Sequence, residues 1–518
     1  MSNDESLRVD GDLEKVDVVK SDSASDTTDP DAGLSAEERE KIDKALLRKL
    51  DWYLIPWLSL LYLVSFIDRA NIGNAKIEGI VDDLNMSENE FNNTLTIFFV
   101  SYALFEPLSN ILLKRLRPRI YIPCIMLGIS LFFVPSGKRQ TDSLTAWGVV
   151  MTLMGLVTNY NGLMAARWFL GMTEAGLFPG VNYYLSCWYK RSEFGLRAAV
   201  FFSAAAVSGS FGGLLAAAIS QMDGIGGKPG WAWIFILEGL LTVVIGVISF
   251  WMVHDFPDTA TFLSVEDRHR VHKRLSEDNQ ASARGEDFQM EYFWQSVKDP
   301  KTYMGALIYM GVLGPLYAFS MFLPTIIREL GHKSTKAQLL SVPPYAVACV
   351  ITILVGWVAD RMKMRGVFNM GISVFGILGF GLLIGSTNPK LSYAATFFGA
   401  LGIYPGIANT ITWVSNNVEG VYKRGVSLGF VIGWGNLNGV VSSNIFRSKD
   451  APHYRMGHAI LVAYLAIGLL GGSILNYIYL RQENKNRREG KRDYLTEGKT
   501  QEEIARLGDV NPEFMYTL

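Results

Sequence analysis

Apolar residues occur along this chain in long unbroken runs rather than in short alternating stretches. Runs long enough to cross a bilayer need about 17–25 residues. They fall at 53–73, 92–113, 162–186, 196–219, 232–253, 303–327, 342–359, 367–386, 392–415, 426–446 and 457–480. Two shorter runs, "IYIPCIMLGISLFFVP" (120–135) and "AWGVVMTLMGLVT" (146–158), are separated by the polar "SGKRQTDSLT". Neither spans comfortably alone. Loop charge decides how they count, because Lys and Arg collect on the cytoplasmic side. "KRLRPR" (114–119) and the Lys190–Arg191 loop with Arg197 are basic, whereas 74–91 and 220–231 hold one Lys each. The two basic loops share a side only if the two short runs form one crossing. The total is then twelve, with both termini cytoplasmic.

The polar stretches divide the chain into parts. Residues 1–50 are acidic and Ser/Asp-rich, which predicts a disordered cytoplasmic tail; they lack the pattern of a removable signal peptide, so the first span is expected to act as its own targeting signal. A six-span half covers 51–253, a polar cytoplasmic linker 254–302, a second six-span half 303–480, and a cytoplasmic tail 481–518. In the linker, Ser264 and Asp267 predict a helix N-terminus. Its basic face is expected to be solvated or to touch the membrane surface. The halves echo each other: "GLFPG" (176–180) returns as "GIYPG" (402–406), each followed by "YKR" and a Gly-rich span. Repeated six-span units point to a transporter, with its site near mid-membrane between the repeats. The fold expected is all-α, twelve transmembrane helices in two pseudo-symmetric six-helix bundles.

Composition narrows the function. Hydrophobic residues make up 49% of the 518 and charged ones only 19%, with a net charge of −1, so the bilayer is a partner and nucleic acid is not. The three cysteines lie in or beside apolar runs without metal spacing and read as small packing residues. No phosphate-binding loop or hydrolase motif is present, so neither an enzyme nor an ATP-driven pump is expected, and no cofactor beyond a proton gradient.

Charges inside apolar runs stand out, since each costs roughly 2.5–3.5 kcal/mol on insertion scales. Asp68 and Arg69 end span one ("SFIDRANIGN"), Glu106 lies in span two, and Arg167 and Glu174 lie two turns apart in span four. One reading is mutual neutralisation across helices. The other is functional: two arginines offer forked hydrogen bonds to an anion, while buried carboxyls bind and release protons. Glu106, beside Pro107, and Glu238 in span six read as structural. Tyr309, Tyr317, Asn409, Trp413, Trp434 and Asn436 could line the opposite side of a central cavity. The glycines of spans five and eleven read as close helix packing.

Several stretches together are specific: "SFIDRANIGNA", "YALFEPLSNILLKRLRPR", "RWFLGMTEAGLFPGVNYYLSCWYKRSEFGLRAA", "SVPPYAVA" and "IGWGNLNGVVSSNIFR". Over about residues 45–480 the chain resembles the fungal anion:cation symporter, or allantoate permease, family of the major facilitator superfamily, which includes nicotinic acid permeases. The resemblance implies the major facilitator fold and proton-coupled uptake of a small organic anion at the plasma membrane; the substrate expected first is a monocarboxylate such as nicotinate, and the chain is expected to be a monomer. Allantoate, pantothenate, another vitamin or an amino-acid-derived anion are alternative substrates, and a non-transporting nutrient sensor is the alternative of another class. It further implies proton coupling at Asp68 and Glu174 and carboxylate binding at Arg69 and Arg167. "GWVADRMKMR" matches the superfamily's basic loop motif through Gly356, Asp360, Arg361 and Arg365, a conformational role. Family members run from "RIYIPCIML" directly into "AWGVVMTLMGLV", so Gly128–Thr145 reads as an insertion in span three, of the kind a retained intron produces.

Overall fold

A computed structural model describes residues 31, 33–115, 117–127, 147–277, 290–500, 504 and 507–518. Among these, eight helices are long and apolar enough to cross a membrane unaided. Twelve crossings are completed by Glu88–Arg115 (span two), Val421–Ser442 (span eleven), and two spans each built of a helix pair. Span three is Pro118–Leu127 with Trp147–Met154, and span four is Tyr160–Glu174 with Leu177–Ser186. The break in span four follows from "GLFPG": Pro179 cannot donate to the carbonyl of Ala175. The matching Pro405 stays inside one helix, Pro389–Asn416 (span ten).

The same neighbours recur in both halves. Span one packs on five and two on four in the first, as seven packs on eleven and eight on ten in the second. Between halves, five packs on eight and two on eleven. That is two six-helix bundles meeting along a pseudo-two-fold. The halves touch closely at both ends. At the basic-loop end, a side chain on Gly356 (span eight, Ser334–Met362) would collide with the Ala199 methyl of span five (Arg191–Ile219). At the opposite end Gly73 of span one lies against the Met321 carbonyl of span seven (Pro300–Glu329). There the Ser334 hydroxyl donates to the Ile77 carbonyl (3.3 Å) and the Gln338 amide to Glu78 (3.0 Å).

Span three bears on the insertion, although Gly128–Thr145 itself lies outside the described residues. Its two helices lie end to end along span six (Gly230–Met252). Leu127 meets Gly246, Gly148 meets Val243 and Gly239, and Gly155 meets Ala232 and Ile236. Removing 128–145 would put Gly148 three residues after Leu127, and Val243 lies three before Gly246. The register is that of one continuous antiparallel helix.

Two polar regions depart from expectation. Span one begins at Ala36, so residues 36–50 are helical rather than a disordered tail. Ser35 and Glu38 cap its start reciprocally, the Glu38 carboxylate accepting from the Ser35 amide at 2.9 Å. The linker helix Val265–Glu277 is capped by Ser264 as expected, with the Asp267 amide donating at 3.1 Å. Its basic face is neither merely solvated nor free for lipid. Arg270 pairs with Asp31 (3.0 Å), and Arg274 with Asp43 (2.8 Å) and Glu193 (2.6 Å).

The last residues fold back on the second bundle. Asp509, with no exposure, accepts from Lys423 (2.7 Å) and Lys301, while Trp413 and Asn417 donate to the Thr517 carbonyl. Burial pushes the Asp509 carboxyl up, but Lys301 and Lys423 outweigh it and hold it below the ordinary aspartate range. A depressed folded-state pKa contributes stability that is present above the unfolded value, near 3.9, and is lost as pH falls through the folded one. Asp509→Asn is therefore expected to lower the melting midpoint at pH 7 and to narrow the gap to wild type below about pH 4. A pH-independent gap would contradict this.

Candidate functional site

Span one delivers the centre of the site. Asp68 and Arg69 are consecutive, so their side chains diverge by about 100° around the helix. Arg69 points between the bundles. Its Nη2 and Nε donate to Glu174 Oε1 (2.7 and 3.2 Å), which also accepts from the Ser65 hydroxyl (2.6 Å). Glu174 is the last residue before the break in span four, held there by the Gly176 turn packed on Ser109.

From Arg69 a directed chain crosses into the second bundle and returns. Arg69 Nη1 donates to the Tyr317 hydroxyl (3.1 Å), Tyr317 to Asn436 Oδ1 (2.6 Å), and Asn436 Nδ2 to Glu106 Oε2 (2.8 Å). Tyr317 and Asn436 each accept from one neighbour and donate to the next in the same sense, which polarises the series. Glu106, read from sequence as structural, thus ends a chain that joins the halves. Tyr317→Phe is expected to leave Asn436 Oδ1 unpaired at a cost of about 1–3 kcal/mol. In transport assays that is a roughly 5-fold or greater loss in kcat/KM, and an unchanged value would remove the chain from the site.

Arg167 completes the set. It is buried, lies 5.8 Å over the Phe98 ring that Arg69 also faces at 5.5 Å, and its Nε and Nη2 have no hydrogen-bond partner. Arg69 is compensated by Glu174; Arg167 retains donors for another anion.

The remaining sequence-predicted residues separate into three places. Tyr309 is buried against Gly435, near the chain. Asp68 faces away from Arg69, into the first bundle, where its Oδ2 accepts from Thr242 (2.8 Å). Asn409, Trp413 and Trp434 do not join the centre. Asn409 bonds Arg365 and Asn369, Trp413 bonds the tail, and Trp434 is half exposed and stacked on Phe430. In the basic motif, Arg365 bonds Asp360 and Asn409 and packs against Gly195 at the start of span five. Arg361 is exposed and lies over Trp357 instead. Reasoning from sequence missed Ser65, one turn before Arg69 on the same face, and Tyr102, whose ring lies 4.9 Å from the Arg69 guanidinium.

Arg69, Arg167, Glu106 and Glu174 are all buried, a charge-bearing centre whose bonded chain joins the two bundles. The Major Facilitator Superfamily profile matches residues 58–475. The chain belongs to this superfamily. It is a multi-pass membrane transporter, 34% identical to an uncharacterised transporter of Schizosaccharomyces pombe over 92% of this chain and 94% of that one. It is 32% identical to the high-affinity nicotinic acid transporter of Saccharomyces cerevisiae over 95% and 88%. Among solved structures, a bacterial homologue of the human lysosomal transporter Spinster, in an inward-facing and unoccupied conformation, aligns with a TM-score of 0.55. At 16% identity, covering 82% of this chain and 94% of that one, it shares the facilitator fold.

Proposed function

We propose that this facilitator is a proton-coupled symporter that takes a small organic monocarboxylate, nicotinate first, across the plasma membrane by alternating access, with both termini cytoplasmic. The observation that carries the reading is Arg167, a buried guanidinium with two nitrogens unpartnered, over the same Phe98 ring that the already compensated Arg69 faces. An arriving carboxylate receives a forked hydrogen bond from Arg167 and competes with Glu174 for Arg69. Displacing Glu174 takes away its charge partner, and this carboxyl is where anion and proton movement are coupled. The nicotinic acid transporter relative makes nicotinate the first substrate to try.

Uptake of labelled nicotinate by cells lacking their own permease, with and without a protonophore, tests this. Saturable uptake that the protonophore collapses is expected. Accumulation indifferent to the protonophore would refute coupling, and absence of uptake would refute the substrate.

A further inference from the structure

A second group of carboxyls lies outside the anion centre. Asp68 has no exposure and Glu238, on span six, 3%. Both oxygens of Glu238 and Oδ1 of Asp68 lack a hydrogen-bond partner, as does the Trp147 indole N–H beside Asp68. Thr242, one turn after Glu238, brings Asp68 to the same stretch of span six: its hydroxyl donates to Asp68 Oδ2 at 2.8 Å and lies 3.0 Å from the backbone carbonyl of Glu238. Among the described residues, no ion pair reaches either carboxyl. We propose that Asp68 and Glu238 form a proton-holding pair inside the first bundle, apart from the arginines that take the anion. This rests on the proton-coupled reading above and adds Glu238 to it.

Charge and geometry support the assignment. Ionised, Glu238 would be a carboxylate with no donor on either oxygen in a buried site, a penalty of several kcal/mol, whereas Asp68 has one donor, Thr242. The charged neighbour of Glu238 is another carboxyl, Asp68, so a charge on either disfavours a charge on the other. Other ionisable groups on the packed elements are engaged elsewhere. Glu238 is the sole one on span six, and Trp147–Met154 has none. Arg69 turns to Glu174, whose charge also acts on Asp68 and further disfavours its ionised form. On the other half of span three, Arg119 bonds the Phe250 carbonyl about three turns away, and Tyr121 bonds Ser109. Cys124 lies beyond Leu127, which meets Gly246 about two turns from Glu238. Glu193 and Arg197 of span five bind Arg274 and Asp51 near the helix start. Because Asp68 and Arg69 are adjacent on one rigid helix, a rotation of span one that moves Arg69 at the interface also shifts Asp68 against Glu238. That links proton occupancy to the anion site without contact between them.

Infrared difference spectra of the full-length protein in liposomes, in H2O and D2O, read protonated carboxyls without substrate. At neutral pH, Glu238→Gln and Asp68→Asn are each expected to reduce the protonated-carboxyl C=O band. Unchanged bands in both would overturn the pair. Glutamine copies the shape of the neutral acid, so Glu238→Gln is expected to melt with wild type; should it misfold, Asp68→Asn carries the comparison. In a second arm with nicotinate, one proton per anion drives about tenfold accumulation per unit of pH gradient, which Glu238→Gln is expected to abolish. Tenfold accumulation persisting in Glu238→Gln would overturn its coupling role. If wild type moves no nicotinate, the substrate reading falls, while the infrared bands still decide whether the pair holds protons.

Discussion

Arg69→Ala is expected to abolish transport and to destabilise the protein, and the second effect is expected to be repaired separately from the first. Arg69 and Glu174 are 6% and 0% exposed along their side chains, joined at 2.7 Å. Deleting the arginine leaves a buried carboxylate with the Ser65 hydroxyl as its remaining donor, a loss of about 3–5 kcal/mol. It also cuts the bonded chain to Tyr317 and Glu106. Adding Glu174→Gln removes the orphaned charge, so the double variant should recover most of the melting midpoint. It should not recover uptake, because truncating a buried charged contact costs about 2–5 kcal/mol of binding, roughly 30-fold or more. Uptake kinetics and thermal melts of both variants check this. Retained uptake in Arg69→Ala would remove Arg69 from the site, and equal melting loss in the single and double variants would refute the pairing.

Deleting residues 128–145 is expected to raise the amount of folded protein by about threefold or more, the scale that 1–2 kcal/mol produces in abundance. The physical reason lies on span six. Leu127 and Gly148 already occupy consecutive turns of one stripe, against Gly246 and Val243. In the shortened chain, residues 124–127 accept directly from the turn that begins at Ala146, and the span closes with its backbone paired inside the membrane. Trp147 keeps its position beside Asp68, so coupling should survive. Detergent melts and protein yield measure the effect, and sequencing the transcript shows which form the cell makes. A deletion protein that melts lower than the full chain would refute the continuous register.

The twelve crossings, the pairing of halves and the presence of a charged centre were legible in the sequence. A bilayer enforces span length and internal backbone pairing, and it makes every embedded charge conspicuous. The start of span one was legible in part: "SAEE" encodes its cap, yet the surrounding acidity masked the helix that continues from it. The polar and aromatic residues of the second half were not. Tyr317 and Asn436 reach Arg69 and Glu106, while Asn409, Trp413 and Trp434, equally plausible by type, serve the motif, the tail and the outer surface.

Sequence alone determined how many helices cross and which residues carry charge at depth, because those are local consequences of hydropathy. Only the tertiary structure decided who faces whom. Asp68 and Arg69 are neighbours in the chain, yet about 100° of helix rotation sends one to Thr242 and Glu238 and the other to Glu174 and Tyr317. Which face of a helix meets which neighbour is set by packing against spans far away in sequence, and no local pattern records it.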